Sequence, residues 1–149
     1  MQSKMKTAMN IAVFLVALFL ITSLRGQATV SVNIDKGSMT FTGPDGYHRV
    51  IDYDEIQIDS VTLISAEELD NPGQAIAGGE TRKDRWGQWE NEAQGEYTAC
   101  LIRKIDAAIL FETTGGETVI FNMENDDTTA TLSGSFPELV AYYQDGKTA

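Results

Sequence analysis

The first apolar feature of the chain has no periodicity. Ala8 to Leu24, AMNIAVFLVALFLITSL, contains only Asn10, Thr22 and Ser23 as polar members, and no charged residue interrupts it. As a helix this run would rise about 26 Å, at the short end of what crosses a hydrocarbon core. A soluble amphipathic helix would show a polar stripe every three or four residues, and none is present. From Val30 the pattern changes to period two. Val30, Val32 and Ile34 alternate with Ser31 and Asn33, and Met39 and Phe41 continue after Asp35-Lys36-Gly37, so two half-buried strands are predicted. Gly43-Pro44-Asp45-Gly46 is a turn signal, and Tyr47 to Tyr53 should return as a third strand, in a hairpin with the second.

Between Ile58 and Val61 the odd-even phase of Tyr53 to Ile64 slips, which marks a bulge or a short turn at a strand start. Ser65 to Glu80 has Asn71-Pro72-Gly73 and Gly78-Gly79 with few large apolar residues. It reads as an exposed loop with a short helical turn at Ala66 to Leu69. Gly95 to Asn122 is the stretch on which the rest is organised. Gly95 to Leu101 and Ala107 to Thr113 read as strands joined by Arg103 to Asp106, and Gly115-Gly116 closes a tight hairpin to Thr118–Asn122. Val119 and Phe121 fall on one face and Ile120 on the other. Leu132, Phe136, Leu139, Val140 and Tyr143 then recur at helical spacing. Asn125 to Thr129 supplies capping side chains, but Pro137 follows Ser135 closely, so the helix is predicted from near Phe136, with Gly146 ending it.

This length leaves room for one domain of about 120 residues behind the apolar segment. The expected division is an anchor or signal peptide at 1–25, a β domain at 26–145 and a disordered tail at 146–149. The formal net charge is −11. Setting aside Lys4, Lys6 and Arg25 leaves 8 cationic against 22 acidic side chains, or −14 from Gly26 onward. Nucleic acid is therefore excluded as a partner and anionic lipid headgroups are disfavoured, since both are held by clustered Lys and Arg. Two membrane readings stand. A cleaved signal peptide would use Gly26-Gln27-Ala28 and an uncleaved anchor needs a longer run; the length falls between the two, and Arg25 sits awkwardly close to the proposed cut. The anchor is favoured, and under either reading the cationic N-terminus stays inside while the acidic domain is exported.

Candidate chemistry is sparse. Cys100 and His48 are the only residues of their types, so an intramolecular disulfide and a multi-cysteine metal site are excluded. Asp52, Asp54, Glu55 and Asp59 form one acidic run, and Glu124, Asp126 and Asp127 another. Neither has the spacing of a calcium loop, and strand ends and a helix cap account for them better. No nucleophile–base pair or phosphate-cradling glycine loop is recognisable, so no catalytic residue, metal or cofactor is assigned. The least ordinary stretch is Thr81 to Glu92, TRKDRWGQWENE. Arg85, Trp86 and Trp89 could form a platform for a sugar or an anionic group, because aromatic faces with cations beside them hold such ligands. The competing reading, which is preferred, is that a Trp fills the end of a small barrel.

Several residues carry a resemblance. Tyr53-Asp54-Glu55-Ile56, Gly87, Gly95-Glu96-Tyr97, Ile109 to Glu112, Gly115-Gly116 and Val119 to Asn122 are spread over Val30 to Tyr143. In that arrangement the chain resembles the bacterial pleckstrin-homology-like (PH-like) domains of membrane-associated proteins. The resemblance implies a mainly β fold. It would be a bent antiparallel sheet or partial barrel of about seven strands, capped by one C-terminal helix and preceded by the hydrophobic helix. It also implies a non-catalytic domain for protein contacts or assembly, with an unknown protein partner or a membrane complex, tethered by Ala8 to Leu24. The first hairpin lacks the basic patch of lipid-binding relatives: Asp35 to Arg49 holds Lys36, His48 and Arg49 against Asp35 and Asp45.

Overall fold

A computed structural model describes residues 30–65 and 71–148, with side chains up to Gln144. The apolar run at Ala8 to Leu24, the division at 25 and the helical turn expected at Ala66 to Leu69 all lie outside the described residues. Among the described residues nine strands and one α-helix are formed: β1 Ser31–Ile34, β2 Ser38–Thr42, β3 His48–Asp52, β4 Thr62–Ser65, β5 Gln74–Glu80, β6 Asp84–Asn91, β7 Gly95–Ile102, β8 Ala107–Glu112, β9 Thr118–Phe121 and α1 Asp126–Thr148. The mainly β expectation holds, with more strands than the resemblance implies. The first three strands make an antiparallel meander, while the remaining six form a second sheet in the order β4-β8-β9-β7-β6-β5.

The first hairpin forms as the pattern predicts. Met39 pairs with Ile51 and Phe41 with Arg49, and Gly43 to Gly46 turn tightly with Asp45 at φ 59° and Gly46 at φ 77°. The phase slip after Tyr53 proves to be two 3-10 turns, Tyr53–Glu55 and Ile58–Ser60. The Asp52 carboxylate caps the first by accepting from the Asp54 amide at 3.1 Å.

Three expectations are corrected. Gln74–Glu80 is a strand and not a loop: Gly78 and Gly79 lie within it, opposite Gly87 and Trp86 of β6. Gly78 (φ 132°) and Gly87 (φ 91°) bring the two backbones together. A Cβ at Gly78 would lie 2.2 Å from the Trp86 carbonyl oxygen, and one at Gly87 would lie 2.1 Å from that of Ala77. Second, β7 and β8 are not neighbours. β9 folds back from β8 through the Gly115-Gly116 turn and inserts between them, parallel to β7, so the sheet is mixed where the resemblance implies an antiparallel one. Third, α1 begins at Asp126, ten residues before Phe136, and passes through Pro137 and Gly146 to Thr148. Asn125 caps it, its carboxamide oxygen accepting from the Thr128 amide at 2.7 Å. Pro137 removes one helical hydrogen bond, a cost of about 3 kcal/mol. Four apolar side chains, Leu132, Phe136, Leu139 and Val140, are buried at 0–1% exposure along that stretch. Each contributes about 1.5–3 kcal/mol, so packing outweighs the proline.

The six-stranded sheet is covered on its inner face by the small sheet and α1. Phe41, Phe111, Phe121 and Phe136 meet there, with ring centroids 5.7–6.0 Å apart in four of their pairs. Its outer face carries a second cluster, Ile64, Trp89, Tyr97, Ala99, Leu101, Ala108 and Ile120. Residues 71–73, which lead into β5, lie against this face. Tyr97 donates its hydroxyl to the Pro72 carbonyl at 2.8 Å, and Asn91 donates its amide to that of Asn71 at 3.0 Å.

Candidate functional site

Strand alternation along β6 decides where Arg85, Trp86 and Trp89 go. Trp86 points into the inner-face core, 5% exposed, with its six-membered ring lying against Gly79, where a Cβ would come within 3.0 Å. Trp89, three residues on, points the other way into the outer-face cluster, also 5% exposed. Arg85 shares that outer face: its guanidinium sits 5.3 Å from the Trp89 ring centre and pairs with Glu80 at 2.7 Å, and Glu80 also holds Arg103 at 3.2 Å. The structure thus brings Arg85 to Trp89 and puts the Trp86 ring on the opposite face, while the Trp89 indole N–H donates to the Trp86 backbone carbonyl at 3.0 Å. The face of Trp89 that a ligand would stack on is occupied by Arg85, as in a structural cation–π pair.

Cys100 lies in the inner core at 1% exposure and donates weakly to the Ser31 carbonyl at 3.7 Å. Burial, and then Asp84, push its thiol well above the usual range, so it stays protonated and unreactive. His48 is exposed on β3. In the second acidic run, one Asp126 carboxylate oxygen accepts from the backbone amides of Asp106 and Ala107 at 2.8 and 2.9 Å, anchoring the start of β8. Among the described residues no three His, Cys, Asp or Glu side chains converge as metal ligands would.

Among the described residues two open surfaces stand out. The first is β5, paired there on one side only, to β6. Every residue of it except Gly79 is exposed, and the bulge between Ala75 and Ala77 presents Ile76 at 50% exposure. It carries neither Lys nor Pro, the residues that commonly protect a sheet edge. Sequence reasoning missed it because paired glycines between small residues look like a turn, and their closeness to Gly87 is a tertiary fact.

The second is a cleft of about 370 Å³ at one end of the inner face, lined by Arg49, Gln88, Glu96, Tyr97, Thr98 and the Gly115-Gly116-Glu117 turn. Arg49 of β3 donates to one Glu117 carboxylate oxygen at 2.5 Å, and Thr98 donates its hydroxyl to the other at 2.6 Å. Tyr47 is packed beneath, its hydroxyl ionisation pushed upward chiefly by burial and next by Cys100. Arg49 and Glu117 are 68 positions apart, so no local pattern announces the pair.

These features define a two-sheet, mainly β domain with one C-terminal helix. Comparison of the chain with protein-family models, with characterised proteins and with solved structures finds no match in any of the three. Among the described residues no helix is long and apolar enough to cross a membrane.

Proposed function

We propose that this chain is a non-catalytic, membrane-tethered PH-like domain at the cell envelope that offers strand β5 to a protein partner. The observation that carries this reading is the open edge itself: seven residues, Gln74–Glu80, with one side of the backbone unpaired among the described residues and an apolar side chain exposed at Ile76. An extended segment of a partner can add to such an edge through main-chain hydrogen bonds, with Ile76 as a side-chain anchor. A helix closing the interface between two sheets supports the PH-like assignment. The parallel β7–β9 pair is where this chain goes its own way. Tethering and export rest on the Ala8 to Leu24 run with Lys4 and Lys6 before it.

The test uses the full chain in a bacterial host. Intact mass and fractionation should give the full-length protein in the membrane fraction, while a mass beginning near Thr29 in the exported soluble fraction rejects the tether. A photo-crosslinking residue at Gln74 should give a discrete adduct that Ile76→Lys abolishes without moving the unfolding midpoint. No adduct, or one indifferent to Ile76→Lys, rejects the edge.

A further inference from the structure

We propose that the cleft between β3 and the β8–β9 turn is a binding site for a small ligand bearing a protonated primary amine. The argument begins where the core ends. Along the inner face of β6 the side chains pass from Trp86 to Gln88 and Glu90, and along β7 from Cys100 to Thr98 and Glu96. The apolar interior thus opens into a polar mouth. Its volume, about 370 Å³, lies in the range of small-ligand sites, about 300–1,000 Å³.

The far wall is built in advance. Glu117 is fixed by Arg49 on one oxygen and Thr98 on the other, so its carboxylate keeps one orientation and neutralises the guanidinium. An anion would find no free positive charge there. On the near wall Glu96 and Gln88 are exposed, and among the described residues neither side chain has a hydrogen-bond or ion-pair partner. Glu96 stands directly across from Glu90 in the β6–β7 register. Like charges so placed repel, and a cation between them relieves the repulsion. Two carboxylates, Glu96 and Glu117, line the cleft against one guanidinium, and Glu117 already pairs with that, so the mouth keeps an excess negative charge at Glu96. An ammonium group, with three donors, matches what is unfilled: the Glu96 carboxylate, the Gln88 carboxamide oxygen and the outer lone pairs of Glu117. The entrance is open because a Cβ at Gly116 would meet nothing within 4 Å.

This site is independent of the β5 edge. The test is an amide-resolved NMR titration of the full chain in detergent, with putrescine and glucosamine as amine probes and glucose and citrate as neutral and anionic controls. The amine probes should saturably shift Thr98, Gly115 and Gly116, and Glu96→Gln and Gln88→Ala should each weaken binding, the former about tenfold, as for a lost charge-assisted hydrogen bond. Glu96→Gln removes a repulsive cross-strand pair, so the fold should survive it. Glu138→Gln, the same charge change on an exposed helix position, should leave binding unaltered. The proposal fails if no probe saturates by about 10 mM. It also fails if glucose or citrate binds equally, or if Glu138→Gln weakens binding as much as Glu96→Gln.

Discussion

Asn122 shows how a single side chain can complete a sheet. Its carboxamide oxygen accepts from the Ile102 amide at 2.8 Å and its amide group donates to the Ile102 carbonyl at 3.0 Å, while its own backbone amide reaches the Cys100 carbonyl at 3.3 Å. It therefore extends the parallel β7–β9 pairing beyond the last strand residue, at 3% exposure. Asn122→Leu should leave both half-buried Ile102 groups without their side-chain partner and cost about 1–3 kcal/mol, read as a lower urea midpoint with an unchanged slope. Sequence reading placed Asn122 only as the end of a strand. Its role depends on Ile102, 20 positions away, being brought alongside by the β9 insertion. The same limit applies to Arg85 and the two tryptophans. Their residue types mark the stretch as unusual, but strand alternation and the bulge glycines decide which face each occupies.

At the scale of elements, α1 is a helix held by its apolar stripe against an internal defect. Phe136 touches Phe111 and Phe121 at ring-centre distances of 5.9 and 5.8 Å, and Gln144 donates to the Tyr53 carbonyl at 2.6 Å near the other end of the contact. Phe136→Ala should therefore destabilise by about 3–5 kcal/mol. Pro137→Ala, which restores the missing amide donor, should stabilise by up to about 3 kcal/mol. Opposite shifts of the thermal midpoint in the two neighbouring variants would confirm that packing and not backbone bonding holds this helix, and a loss of stability in Pro137→Ala would refute it. The stripe itself was legible, since Leu132, Phe136, Leu139 and Val140 are all buried as their spacing requires. The helix start was not, because local capping signals at Ser135 and Pro137 compete with those at Asn125. The decision falls to Thr129, whose hydroxyl accepts from the Met123 amide at 3.0 Å and donates to the Asn125 carbonyl at 2.8 Å.

For the molecule as a whole, the joints between layers hold neutral hydroxyls. Tyr53 is fully buried between the small sheet and α1, donating to the Asp35 carbonyl at 2.6 Å. Its ionisation is pushed well above the usual 10.0, first by burial and then by Tyr143 and Asp35. Tyr47 is raised in the same direction. Above about pH 10 the unfolded chain loses these protons while the folded one keeps them, so stability is fully present below that pH and falls as pH rises beyond it. Urea midpoints should hold from about pH 8 to 9 and decline as pH rises past about 10 towards 11, and Tyr53→Phe should flatten part of the decline while costing about 1 kcal/mol at neutral pH. A midpoint constant to the top of that range would contradict the burial. What the sequence determined by itself is what short-range physics controls. Period-two alternation set the strands of the first meander and of β7 to β9, turn residues set their hairpins, and the helical stripe set the face of α1. Tertiary structure alone decided the insertion of β9 beside β7, the conversion of a glycine-rich stretch into edge strand β5, and the meeting of Arg49 with Glu117. Each of these depends on contacts between segments remote in sequence, whose energies are absent from any local window.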